Sequence, residues 1–125
     1  MVLSFSLETY FVESVIIVGG GIAGLSCLNA LLEQNRSPLL LEGGTIGTAK
    51  MCGEFLAPQT VALLRHWDID SLQAIRQATF FVKNKKHNLV FPQPAAAMAR
   101  SEVEILLAQR ARNNNGRIRE NAFIQ

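Results

Sequence analysis

The chain has 125 residues, 49% of them hydrophobic, so it is at most one domain. It can still bury a core, because a chain of this size removes roughly two thirds of its unfolded surface on folding. A formal charge of +2 is close to balance, and the densest basic cluster, Lys83, Lys85 and Lys86, sits between two apolar runs, which argues for a solvated hairpin tip and against a nucleic-acid partner.

Two cysteines occur, Cys27 and Cys52, with no C-x-x-C pair and no histidine at metal spacing. That excludes a disulfide scaffold and a metal site and fits a reducing, cytoplasmic setting. Residues 1–14 read as a loose leader in which Phe5, Leu7, Tyr10, Phe11 and Val12 are broken by Glu8 and Glu13, without the basic start of a signal peptide. No apolar run approaches the ~20 residues of a membrane span.

Val15 to Val18 is a continuous β-branched run, the pattern of a central parallel strand covered on both faces. It feeds Gly19-Gly20-Gly21-Ile22-Ala23-Gly24, which has the G-x-G-x-x-G spacing of a dinucleotide-binding turn. In such a turn Gly19 permits the sharp exit from the strand, Gly21 lets the backbone approach a pyrophosphate, and Gly24 lets the helix pack closely on the sheet. The free N–H groups at the helix start, with the positive end of its dipole, suit phosphate.

That helix is expected from Ile22 to Gln34, with Leu25, Leu28, Leu31 and Leu32 as its apolar stripe and Asn35 as a left-handed stop. Pro38 opens a second strand, Leu39 to Leu41, short and fully apolar. Glu42 stands at the end of that strand. Its carboxylate can accept hydrogen bonds from ribose hydroxyls and would repel a 2′-phosphate, which disfavours NADP.

A loop over residues 43–53 leads to a helix that begins at Pro58, continues through Val61, Leu63, Leu64 and Trp67, and breaks at Asp68 and Asp70. Ser71 to Gln77 reads as a second short helical stretch. Thr79 to Lys83 and Asn88 to Phe91, separated by the polar Asn84 to His87, predict an antiparallel hairpin that Pro92 and Pro94 end. After an alanine-rich stretch, Ser101 and Glu104 fit an S-x-x-E capping box, opening a helix that stops between Asn113 and Gly116. Arg117, Ile118 and Arg119, with Ala122, Phe123 and Ile124, suggest a last strand. The sum is an α/β chain: a Rossmann-like parallel sheet from the strands near Val15, Leu39 and Ile118, plus an antiparallel hairpin.

The order G-G-G-I-A-G, L-L-L-E, K-M-C-G-E-F-L-A-P, hairpin, A-R-S-E-V-E-I-L-L-A-Q-R-A resembles the amino-terminal part of FAD-dependent oxidoreductases of the aromatic-ring hydroxylase and geranylgeranyl reductase group. The resemblance runs from about Val15 to Ile124. It implies that Gly19, Gly21 and Gly24, with the backbone of Gly20, Ile22 and Ala23, hold the FAD pyrophosphate, and that Glu42 binds the adenosine ribose. It also implies that Lys50 lies beside the cofactor, that Cys52, Gly53 and Glu54 lie on a loop near the flavin, and that Arg100 contacts the cofactor region.

Leu28 departs from the group's small residue at that place, which is expected to set the helix slightly farther from the sheet, and Asn35-Arg36-Ser37-Pro38 replaces the usual glycine turn. In the group a downstream G-D motif, a substrate-binding sheet and a return to the central sheet complete the site. Residues 15–125 are therefore expected to form a partial FAD-binding domain of a monooxygenase or reductase, a truncated chain lacking a carboxy-terminal segment, with a small-molecule substrate of unknown identity. Cys52 reads as an unreactive small residue, Glu54 as a solvated acceptor and Trp67 as core. Neither His66 nor His87 is placed for catalysis, and no residue reads as a catalytic base. A non-catalytic remnant and an NAD-binding Rossmann module stay open as alternatives.

Overall fold

A computed structural model describes residues 15–52 and 54–123. In chain order its elements are β1 (Ile16–Val18), α1 (Ile22–Glu33), β2 (Leu39–Leu41), β3 (Phe55–Leu56), α2 (Pro58–His66), β4 (Gln73–Val82), β5 (Lys85–Ala97), α3 (Arg100–Asn113) and β6 (Arg117–Arg119). The leader 1–14, Gly53 and Ile124 lie outside the described residues.

Strands β1, β2 and β6 form the expected parallel sheet, in the order β1-β2-β6, with Ile17 opposite Leu40 and Leu40 opposite Ile118. The middle strand is therefore β2, whose Leu40 is fully buried. The expectation that the first strand is covered on both faces is not met: β1 is an edge strand, and Ile16 and Val18 are 52% and 69% exposed. Its neighbour β2 covers one side only, and among the described residues no strand pairs with the other. The last strand is shorter than expected, because Asn121 turns the backbone to φ 54 and ends the ladder before Ala122 and Phe123.

All three helices stop by the same device. Asn35, Asp68 and Asn115 adopt left-handed φ values of 56, 60 and 61, and the next residue's N–H closes back on the last turn. Arg36 N–H reaches Leu31 O, Ile69 N–H reaches Leu64 O and Gly116 N–H reaches Ala111 O. These are Schellman closures, and Asn and Asp tolerate the left-handed position better than most side chains do.

The core lies between the parallel sheet and the helices. Leu25 and Leu28 of α1 meet Val103, Leu107, Ala108 and Ala111 of α3, and Val61, Leu64 and Trp67 close it from α2. Two polar groups are built into this packing. Asn29, fully buried, donates to Leu25 O and Leu107 O and accepts from Arg110 Nη1. Glu33 accepts from Trp67 Nε1 at 2.9 Å and from Arg110 Nη2 at 3.0 Å, with His66 Nε2 at 3.1 Å, so one carboxylate ties α1 to both other helices.

The second sheet has the order β3-β5-β4 and departs from the sequence reading in three ways. Residues expected to be helical near Ser71 to Gln77 instead start β4, whose Gln73, Ala74 and Ile75 pair with Ala97, Ala96 and Ala95. Tertiary pairing outweighs local helix propensity there. The hairpin turn is only Lys83 and Asn84, with φ of 47 and 60, and Val82 faces Lys85. Positive φ at both turn residues matches the twist of paired strands, which lets the ladder run to the tip.

Pro92 and Pro94 do not end the strand. The ladder skips from Ile75 opposite Ala95 to Gln77 opposite Val90, which leaves residues 91–94 facing Arg76 alone. A residue without an N–H is tolerated in such an irregularity because no ladder bond is required of it. Lys83, Lys85 and Lys86 are exposed at the hairpin tip as expected. No helix among the described residues is long and apolar enough to cross a membrane.

A Cβ built on Gly24 would stand 1.9 Å from the carbonyl oxygen of Gly19. The helix start thus touches the strand exit despite Leu28, which is buried without lifting α1 from the sheet at this point. Gly24→Ala forces backbone apart and is expected to lower stability by about 1–3 kcal/mol, read as a reduced urea midpoint. An unchanged midpoint would contradict this packing.

Candidate functional site

The turn between β1 and α1 is set by its backbone. Gly19 has φ +104, a conformation open to glycine, while its N–H still donates to Leu41 O at 2.8 Å and so continues the sheet. Gly21 is the extended N-cap of α1 and carries no side chain to cap it. The first intrahelical bond is Leu25 N–H to Gly21 O, at 3.0 Å. The N–H groups of Ile22, Ala23 and Gly24 consequently lack helical acceptors and stand at the positive end of the helix dipole.

These groups border an open groove of about 540 Å³ walled by Val18, the glycine turn, the first turn of α1, Cys52 and Arg100. Arg100 opens α3, and its Nη2 lies 3.4 Å from where a Gly21 Cβ would be, so the guanidinium rests against the turn.

Behind Arg100 stands a residue that the sequence reading had given another role. The capping box is not formed: Ala99 is the N-cap of α3, without a side-chain cap bond, and Ser101 lies inside the helix. Glu104 is fully buried and accepts from Arg100 Nε through Oε1 at 2.9 Å, with Lys50 Nζ 3.9 Å from Oε2. A buried carboxylate needs a partner cation more than a helix start needs a cap. The i, i+4 spacing of Arg100 and Glu104 was the available signal.

Glu42 directly follows β2, and its carboxylate turns back onto the turn. Oε2 accepts from Gly20 N–H at 2.5 Å and Oε1 from Gly44 N–H at 2.8 Å. The bonds from Gly44 and Gly20, and more weakly the charge of Lys50, hold its pKa below the usual carboxylate value against a small opposing effect of burial. The structure therefore brings Gly19, Gly21, Ile22, Ala23, Gly24, Cys52 and Arg100 to one groove, while Gly20 is turned to Glu42 and Lys50 lies by Glu104.

Other candidates lie elsewhere. Glu54 is exposed, with φ 54, and its backbone carbonyl accepts from Met98 N–H. His66 ends α2 beside Glu33, and His87 lies on β5 opposite Phe80, not in the turn. Trp67 is core, as expected, at 3% exposure. Cys27 and Cys52 are both free and exposed. No group of three or more potential metal ligands occurs among the described residues.

Comparison with solved structures finds the same fold in part of several larger proteins. A myxobacterial chondrochloren halogenase, described as a new variant of FAD-dependent halogenases, superposes with a TM-score of 0.77 at 18% identity, over 87% of this chain and 28% of that one. A 2-methyl-3-hydroxypyridine-5-carboxylic acid oxygenase matches with a TM-score of 0.75 at 24% identity, over 86% and 31%. A geranylgeranyl bacteriochlorophyll reductase-like protein from Thermoplasma acidophilum matches with a TM-score of 0.70 at 20% identity, over 87% and 30%. The chain thus spans about 30% of the length of these neighbours. No protein-family model and no curated protein sequence matches it. The fold is that of the Rossmann-like part of these neighbours, as the resemblance implied.

The depressed pKa of Glu42 makes stability depend on pH. Its contribution is fully present above the unfolded value of about 4.3 and is lost as pH falls through the lower folded value. Glu42→Gln should be less stable than the parent chain near neutral pH, and the gap should narrow as pH falls below the ordinary carboxylate range, as read by urea unfolding across a pH series. A gap independent of pH would show that the charge of Glu42 is not what the backbone bonds stabilise.

Proposed function

We propose that this chain is the FAD-binding portion of a flavin-dependent oxidoreductase, of the monooxygenase or reductase type, and that it holds the adenosine and pyrophosphate end of the cofactor. The observation that carries this is the uncapped start of α1, opened by Gly21 and walled by Arg100. The donor set fits a diphosphate: backbone N–H groups converge from Ile22 to Gly24, and a guanidinium faces them across a cradle that no side chain fills.

Gly19, Gly20, Gly21, Ile22, Ala23 and Gly24 are assigned to the pyrophosphate, and Glu42 to the ribose. The two bonds Glu42 accepts from Gly20 and Gly44 leave acceptor capacity on both oxygens, since an ionised carboxylate has about four lone-pair sites. Its negative charge disfavours a 2′-phosphate. Arg100 and Lys50 supply positive charge beside the diphosphate, and Cys52, with Gly53 beyond the described residues, borders the groove toward the rest of the cofactor.

The bound flavin supplies the redox step, and the chain's residues bind and orient it. No residue is assigned as catalytic base. Completion of the site, including the surface that takes a small-molecule substrate, is assigned to a carboxy-terminal segment of the kind the larger neighbours possess. Free, exposed cysteines fit a reducing cytoplasmic setting. FAD is preferred to NAD because the halogenase among the structural neighbours named above is described as FAD-dependent.

Thermal unfolding of the 125-residue chain with FAD, ADP, NAD and NADP tests the reading. FAD and ADP should raise the melting temperature, by an amount corresponding to about 2.7 kcal/mol at a hundredfold excess over Kd, and NADP should have the least effect. Stabilisation by NAD and not by FAD would replace the reading with an NAD-binding module. No effect from any of the four would leave a non-catalytic remnant.

A further inference from the structure

Glu104 carries full burial, one hydrogen-bonded oxygen and one oxygen, Oε2, that accepts no hydrogen bond. Such a group is costly in a packed interior unless its charge is answered. Two cations answer it from different elements: Arg100 through Nε at 2.9 Å, and Lys50 from the loop after β2 at 3.9 Å. Both reach outward from Glu104 toward solvent, with side chains 33% and 40% exposed. Arg100 spends Nε on the carboxylate, and its Nη2 is left lying along Gly21 at the mouth of the groove.

We infer that Glu104 is a positioning residue for diphosphate binding: its buried carboxylate fixes the guanidinium of Arg100 across the backbone of Gly21 and holds Lys50 near the same point. This rests on the reading of the groove as a dinucleotide site. A free arginine side chain on a helix start samples many rotamers and loses them on binding; one anchored through Nε has lost them already. The anchor also selects which edge of the guanidinium is offered, since Nε is occupied and Nη2 lies at the groove beside Gly21. Glu104 itself touches no ligand.

Two variants and two ligands separate this from a merely structural role. Glu104→Gln removes the charge and keeps the shape; Glu104→Met fills the same buried space with an apolar chain and leaves two cations whose side chains are 33% and 40% exposed, so neither is left as a buried, unanswered charge. Each should weaken ADP binding about tenfold by calorimetry, the scale of one charge-assisted contact, while adenosine, which has no phosphate, keeps its affinity. Glu104→Asp should recover part of the loss.

In the parent chain the Arg100 Nε–H should give a distinct, slowly exchanging nitrogen-15 resonance that both variants abolish. ADP affinity unchanged in the folded variants, or adenosine weakened as much as ADP, overturns the positioning role. A parent chain that shows the Arg100 resonance but binds neither ADP nor FAD overturns instead the dinucleotide reading on which it rests.

Discussion

The structure depends on one close approach, that of Gly24 to the carbonyl oxygen of Gly19. A Cβ there would sit at 1.9 Å, so only glycine lets α1 begin this near to the end of β1. The backbone half of the site is built around that contact. It seats the first turn of α1 at the exit of β1, where the N–H groups of Ile22, Ala23 and Gly24 lack helical acceptors and Gly20 N–H meets Glu42 from beyond the end of β2. A longer turn would satisfy the N–H groups with water and lose the concave, fixed arrangement that an anion needs.

A second constraint comes from α3. The helix packs on α1 through Leu107, Ala108 and Ala111, and Asn29 fastens the two by bonding Leu107 O. That packing places Arg100, the first residue of α3, over the first turn of α1. The site is thus an intersection of two helix starts, one presenting backbone donors and the other a guanidinium. Burial of Glu104 is the cost of holding that guanidinium in place. The charges of Arg100 and Lys50 offset it, which links a core residue to a surface function.

The strand, glycine turn, helix and second strand were legible because each carries a local signal: a β-branched run, fixed glycine spacing, an apolar stripe and an apolar triplet. Helix ends were legible at Asn35 for the same reason. The hairpin was legible in kind but not in extent. Its ladder past the prolines depends on an irregularity opposite Arg76, and its start at Gln73 depends on distant alanines, neither of which a local reading detects. The exposure of β1 was illegible too, because a continuous apolar run reports what a strand is suited to, and the neighbours present in the sheet decide what is covered. Glu104 was read as a cap because its spacing from Ser101 fits one. Its i, i+4 spacing from Arg100 pointed to the ion pair as well, and only the fold shows the burial that decides between the two.

The central claim is that the start of α1 is an anion site. Backbone amide resonances of the nitrogen-15-labelled chain, titrated with FAD, test it most directly. The account predicts that the largest shifts fall on Ile22, Ala23 and Gly24, with smaller ones at Gly44 and Arg100 and none at the hairpin turn of Lys83 and Asn84. Shifts confined to the exposed hairpin, or an unperturbed helix start at saturating FAD, would contradict it.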